Sequence, residues 1–226
     1  MGLLEERNFY KPFNYPWAFE AYKTQQHMHW LPDEVPLGDD LKDFREKLSD
    51  DNKALLTNIF RFFTQADVDV CCGYATHYLP TFKQPEVRMM LASFANMEAL
   101  HQEAYSLLLE TLGFDDSEYQ MFTQIQSMSD KHEYLSMFDT ETPMGLAKTM
   151  AVYSAFTEGV QLFSSFAILL NFPRHNLMKG MGQIVTWSIR DETLHVESMS
   201  RLFKEFIREN SDLWNDELKY EIYCAA

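Results

Sequence analysis

MLASFANMEALHQEAYSLLLE, residues 90–110, is the stretch whose reading decides the fold. Its apolar residues recur at helical spacing, with Phe94 and Ala95 at one end and Leu108 and Leu109, continuing to Leu112, at the other. Glu98, His101 and Tyr105 interrupt that stripe from within. A carboxylate buried without a partner costs several kcal/mol, so a stable helix carrying this stripe must supply a partner for Glu98 from elsewhere in the chain.

The helix is bounded by Pro85, which suits a first turn, and by Gly113, which suits a stop. Three more segments have the same length and period. SDDNKALLTNIFRFFTQADVDVCCGYATHYL begins with an Asp/Ser cap cluster and runs to Pro80. TPMGLAKTMAVYSAFTEGVQLFSSFAILL begins at Pro143 and ends before Pro173, and GQIVTWSIRDETLHVESMSRLFKEFIREN follows a glycine-containing loop. A short helix is expected at about 39–48, and a polar outer helix over DDSEYQMFTQIQSMSDKHEYLSMF. Residues 1–38, rich in proline and aromatics, read as an irregular N-terminal arm on a helical domain spanning 39–226. No strand-like alternation occurs. The fold class is therefore all-α, a bundle of long helices.

Each of the other long helices repeats the anomaly. Asp67 shares a face with Phe60, Phe63, Val70, Cys71 and Tyr74, while Asp69 is rotated off it. Glu158 shares one with Ala151, Ala155, Leu162 and Phe166. Glu192 and His195 lie among Ile184, Ser188, Met199 and Leu202, so the pair Glu192–His195 repeats the spacing of Glu98–His101. Four buried carboxylates need compensating positive charge, and no Lys or Arg lies on these stripes. One acid from each of two helices plus Glu-x-x-His from each of two others is the di-iron or di-manganese carboxylate pattern. The predicted ligands are Asp67, Glu98, His101, Glu158, Glu192 and His195. Oxygen donors with imidazole suit iron or manganese, and a di-iron, di-manganese or mixed pair is equally compatible with them.

A net charge of −15 argues against nucleic-acid and anionic-membrane partners. The longest apolar run is broken by Glu158 and Gln161, so no membrane span is expected, and the N-terminus lacks the signature of a secretory signal. Three cysteines make no disulfide framework and suit a reducing, cytoplasmic setting; Cys71 and Cys72 read as small core residues near Asp67. His27, His29, His77, His132 and His175 have no acid at ligand spacing.

FFTQAD, NMEALHQEAYSLL, TEGVQLFSSFA and IRDETLHVE resemble the metal-binding helices of the small (beta) subunit of class I ribonucleotide reductase, a ferritin-like dimetal carboxylate family. The likeness extends over roughly residues 28–226 and includes the intervals, 31 residues from Asp67 to Glu98 and 34 from Glu158 to Glu192. It implies that Tyr105, one turn beyond His101, is the radical-forming tyrosine, with Leu162 and Phe166 keeping its pocket dry. It implies that Asp191 and Trp30, the latter in HMHWLPDEV, carry the radical equivalent between the metals and the surface. It further implies a homodimer that serves a larger alpha subunit, which binds the ribonucleotide, and a flavodoxin-like activase if manganese is used. The family normally continues with more helices and a tail bearing another relay tyrosine, whereas this chain ends at ELKYEIYCAA, so either an incomplete product or a naturally shortened or split form is expected, with Tyr220 and Tyr223 as packing residues and not relays. The alternatives sharing the same ligand set are a ferritin-like ferroxidase or iron store and a dimetal oxidase acting on an organic substrate. Iron storage needs neither Trp30, Asp191 nor Tyr105.

Overall fold

The four long periodic segments all become long helices in a computed structural model, which describes residues 2–138 and 140–226 apart from the side chain of Thr123. No strand occurs among the described residues. The N-terminal arm holds α1 (Pro16–His27) and a 3₁₀ turn at Pro32–Glu34, and otherwise follows an irregular path. α2 (Gly38–Lys42) continues as a wider π turn to Lys47. α3 (Asp50–Cys72) starts where the Ser49 side chain accepts from the Asn52 amide, and it continues as a π turn and a final helical turn to Thr81. α4 (Pro85–Leu112) ends at Gly113, whose φ of 91° is the left-handed conformation that glycine adopts at low cost.

The outer segment departs from expectation. A short helix Glu118–Met121 and a 3₁₀ turn Phe122–Gln124 precede an extended Ile125, and α5 (Gln126–Ser136) follows. Phe122 and Leu135 are the buried anchors of this segment. At 3.6 residues per turn they would fall about 140° apart on a straight helix. The break at Ile125 lets both face the body.

The next helix, α6, is regular over Pro143–Ala151, widens to π geometry over Val152–Leu162 and returns to α-helix over Phe163–Leu169. α7 (Lys179–Glu209) begins earlier than expected, directly after Met178, whose φ of 52° is left-handed. α8 (Asp216–Ala225) turns Leu218 inward, which leaves Tyr220 and Tyr223 on its outer side at 66% and 80% exposure. Those tyrosines are surface residues, contrary to the packing role expected of them. Cys71 is half-buried and Cys72 exposed, so neither is a core residue. The stretch Pro143–Arg174 is long and apolar enough to cross a membrane by length and composition, because its three charged residues, Lys148, Glu158 and Arg174, are widely spaced. In the fold its inward face carries that glutamate and packs on α7.

α3 pairs with α4 and α6 with α7, while α1 lies along α4. Two apolar clusters fill the bundle. One gathers Trp30, Phe63, Met97, Tyr105, Leu162, Phe166 and Ile184; the other gathers Val70, Tyr74, Phe94, Met150, Tyr153 and Met199. Along each long helix the buried acid falls where the chain passes from one cluster to the other.

The start of α7 is held by acids from the α2 region. Asp40 accepts from the amides of Gly180 (2.9 Å) and Met181 (2.8 Å), and Asp43 accepts from Met178 (2.9 Å). These side chains satisfy amide groups that a helix start leaves without partners. A Cβ at Gly180 would lie 2.8 Å from the Pro36 carbonyl, so only glycine permits this approach. Asp40→Ala is expected to lower stability by about 1–3 kcal/mol through the two orphaned amides, read as a lower urea midpoint at unchanged slope.

Candidate metal centre

Asp67 from α3, Glu98 and His101 from α4, Glu158 from α6, and Glu192 and His195 from α7 are all at most 1% exposed. One ligand atom each from Glu98, Glu158, Glu192 and His195 lies within 4.8 Å of the others. His101 stands beside this group, its Nδ1 3.2 Å from Glu192 Oε1 and 3.6 Å from Glu98 Oε2. Asp67 lies outside the tight group, and Glu98, His101 and Glu192 are the leading charges acting on it. The six predicted ligands thus occupy one buried layer, four of them converging on a common point.

Whether this layer fits a cation can be judged from its polar atoms. Asp67 Oδ2, both oxygens of Glu98 and of Glu192, Glu158 Oε2 and His195 Nδ1 are buried without a hydrogen-bond partner. His195 Nδ1 is 2.9 Å from Glu98 Oε1, a contact that does not make a hydrogen bond. Buried polar atoms are otherwise almost always paired. Unpartnered atoms of one layer, chiefly carboxylate oxygens, fit divalent cations, and the oxygen-plus-imidazole set is that of iron or manganese.

The other ring nitrogens are held from outside the layer. Asp191 only accepts, so His101 Nε2 donates to its Oδ2 at 3.3 Å. Gln25 donates its Nε2 to Asp191 Oδ1 at 3.2 Å and accepts from His195 Nε2 at 3.1 Å. Both histidines therefore turn Nδ1 toward the carboxylates, the arrangement expected when an outer partner sets a ligand's tautomer. Gln25, on α1, was not foreseen, since nothing in a short, weakly amphipathic helix marks it. Tyr74, two turns beyond Asp67 on the same face, donates to Glu158 Oε1 at 2.6 Å; its place on the stripe was legible, its role was not. Asp69, set aside as ordinary, pairs on the outside of the bundle with His132 at 2.8 Å.

The π segment of α6 corrects one detail. Glu158, Leu162 and Phe166 of the expected face are buried, but Ala151 is half-buried and Ala155 exposed, so its first two members turn away from the core. The wider turn brings Met150 and Ser154 inward in their place, in line with Glu158 and Leu162. It also seats Tyr153 against α3, where a Cβ on Gly73 would come within 2.8 Å of the tyrosine ring.

Tyr105 is buried and stacked on Phe63, with centroids 4.7 Å apart and planes 5° apart, and Phe63 stacks in turn on Phe166 at 5.0 Å. Its hydroxyl has no hydrogen-bond partner. Burial, then the charge of Asp67, pushes the phenol well above its ordinary pKa. Trp30, expected near the surface, is only 3% exposed. Its Nε1 donates to Asp191 Oδ2 at 2.8 Å, and its ring lies 6.0 Å from that of His101. Trp187 covers its other side at 5.1 Å and is itself half-buried.

Burial and the charge of Glu98 raise Asp67 well above the carboxylate range, and burial and Glu192 do the same to Glu158. Burial opposes a charged imidazole, but the surrounding carboxylates, Asp191 foremost for His101 and Glu192 for His195, outweigh it; His101 rises well above its usual value and His195 to about 10. Burial likewise opposes ionised Glu192, yet His195 and then His101 hold it down at about 2. Near neutral pH the layer therefore keeps protons on its histidines, and a cation must displace them. Titration with Mn(II) is expected to release protons and to tighten as pH rises from 6 to 8. Calorimetry in two buffers of different ionisation heat measures this, and binding with no proton release would contradict it.

The family model described as ribonucleotide reductase, small chain, matches residues 7–225. The probable ribonucleoside-diphosphate reductase small subunit of Invertebrate iridescent virus 6 is 50% identical over 224 residues, covering 93% of this chain and 62% of the relative. Its counterpart in Invertebrate iridescent virus 3 is 46% identical, covering 92% and 60%. This chain thus spans about three-fifths of the length of these curated relatives. Among solved structures, the ribonucleotide reductase R2 subunit from Clostridium botulinum superposes with a TM-score of 0.88 at 21% identity, covering 96% of this chain and 70% of that one, which shows a shared fold.

Proposed function

Because this chain belongs to the ribonucleotide reductase small-chain family, we propose that it generates and stores the radical used to convert ribonucleotides to deoxyribonucleotides. The observation that carries the proposal is the layer of unpartnered buried ligand atoms with a dry tyrosine on the next turn. Asp67, Glu98, His101, Glu158, Glu192 and His195 would hold two metal ions, iron, manganese or one of each. Such a pair, after reaction with an oxygen-derived oxidant, supplies one-electron oxidising power.

The protein's own part follows from its geometry. Tyr105 loses an electron and its hydroxyl proton together, since burial disfavours a phenolate, and the proton would pass to the Asp67 carboxylate, the leading charge acting on the phenol and one whose own proton affinity is raised. Phe63 and Phe166, with the buried Leu162, exclude water and reductants from the resulting phenoxyl. Asp191 fixes the His101 ring on one side and the Trp30 indole on the other, which sets a hydrogen-bonded line from the ligand layer toward the surface. Tyr74 and Gln25 orient Glu158 and His195. In this reading the chain works as a homodimer in the cytoplasm with a larger alpha subunit that holds the ribonucleotide, and with a flavodoxin-like activase where manganese is used. Substrate and partners are inferred from family membership.

The test is electron paramagnetic resonance after loading with Fe(II) or Mn(II) and oxidant. A tyrosyl signal is expected, abolished in Tyr105→Phe. Because the hydroxyl has no partner to lose, that variant should keep its thermal stability within about 1 kcal/mol. A metal-based signal that survives the substitution would move the stored oxidising equivalent off Tyr105.

A further inference from the structure

All six ligands of the layer are at most 1% exposed, so a cation arriving from solvent must pass between their neighbours. Tyr74, Phe94, Tyr105, Ser188, Gln25 and Asp191 are themselves buried and close the layer on their sides. The seam between α6 and α7 pairs the half-buried Gly159 with the half-buried Val196, 3.9 Å from where a Cβ on the glycine would lie. That pairing offers a hydrated ion no polar side chain in exchange for its waters. The seam between α3 and α4 does. Cys71 stands one turn beyond Asp67 and Gln102 one turn beyond Glu98, and both are half-buried. They reach across the seam in opposite directions: Cys71 Sγ donates to the Ala95 carbonyl at 3.4 Å, and Gln102 Nε2 donates to the Asp67 carbonyl at 3.1 Å. The Gln102 amide also lies against the Cys71 thiol, and Glu98 is the leading charge acting on that thiol. Behind the pair, Asp67 Oδ2 and both oxygens of Glu98 are buried without hydrogen-bond partners.

We propose that Cys71 and Gln102 form the entry gate of the metal centre, with the Cys71 sulfur as a transit ligand for a divalent transition-metal cation on its way to Asp67 and Glu98. The inference rests on the metal centre proposed above. Gln102 yields first, releasing the Asp67 carbonyl and uncovering the thiol. As the sulfur–metal bond forms, the thiol proton leaves to solvent and one water leaves the ion, since the thiolate is the form that binds metals. As that bond breaks, the unpartnered carboxylate oxygens take the cation and the sulfur recovers a proton from solvent. No electron is transferred, and the gate ends as it began. One sulfur against the charge of several carboxylates makes the stop at Cys71 brief.

The experiment mixes metal-free protein with Co(II) in the absence of oxygen and follows the absorption in time, because sulfur coordination and oxygen–nitrogen coordination give separate bands. In the wild type a near-ultraviolet sulfur-to-cobalt charge-transfer band is expected to rise and then fall as the visible bands of the ligand layer grow. Cys71→Ala should show no such transient and take up Co(II) roughly tenfold more slowly, a rise of about 1.4 kcal/mol in barrier, while reaching the same final stoichiometry. Cys72→Ser should keep the transient, which separates the two neighbouring thiols. Gln102→Leu, which caps the seam with an apolar side chain of similar size, should slow uptake without abolishing the transient. A wild-type band that persists at equilibrium would overturn the proposal by making Cys71 a permanent ligand. Equal uptake in wild type and Cys71→Ala would overturn it by placing entry elsewhere. A wild type that binds no Co(II) at all would instead remove the metal centre, and this inference with it.

Discussion

The structure turns on one electrostatic constraint: four carboxylates and two imidazoles sit in a layer from which water is excluded. Their mutual effects run in opposite directions, with Asp67 and Glu158 driven toward the neutral form while Glu192 is held ionised by the two histidines. Proton sharing relieves part of the repulsion, but it leaves most of the carboxylate oxygens without hydrogen bonds. Divalent cations answer both needs at once, charge and coordination. Much of the remaining architecture can be understood as holding these six groups at fixed separations while keeping solvent out.

Two apolar clusters do this work from above and below the layer, and their chemistry differs. The cluster on the Tyr105 side stacks Tyr105, Phe63 and Phe166 nearly parallel, giving a dry slot for a phenol. The cluster on the other side brings Tyr74 and Tyr153 in from α3 and α6, and one of these reaches into the layer to hold Glu158. Both helices adopt π geometry there, at Gly73–Tyr78 and at Val152–Leu162. π segments are commonly found at functional sites, and in α6 the wider turn decides which residues flank Glu158.

The N-terminal arm is part of the site. α1 contributes Gln25, and the chain beyond it contributes Trp30; both bind Asp191. Asp191 thereby joins the two histidines and the indole in a single network whose members lie far apart in sequence. Glu86 accepts from the Tyr15 amide and so anchors the start of α1 to α4. Small displacements of the arm would therefore be felt at both imidazoles of the layer, because each relies on a partner that α1 helps to place.

Helical periodicity was enough to read the long helices, their stops at Gly113 and near Pro80, and the acid that each turns inward. That is because a buried charge on an apolar stripe is a local anomaly, visible within a few turns of one helix. The spacing Glu-x-x-His on two such stripes was equally local. What no local pattern contains is which groups across the bundle complete one another. The break at Ile125, the π turn that moves Ala155 outward, the burial of Trp30 beneath Trp187, and the reach of Gln25 to His195 all depend on residues distant in the chain. Side-chain periodicity records which face of a helix is buried; only packing between helices decides how deep a residue lies and which partner its polar atoms find.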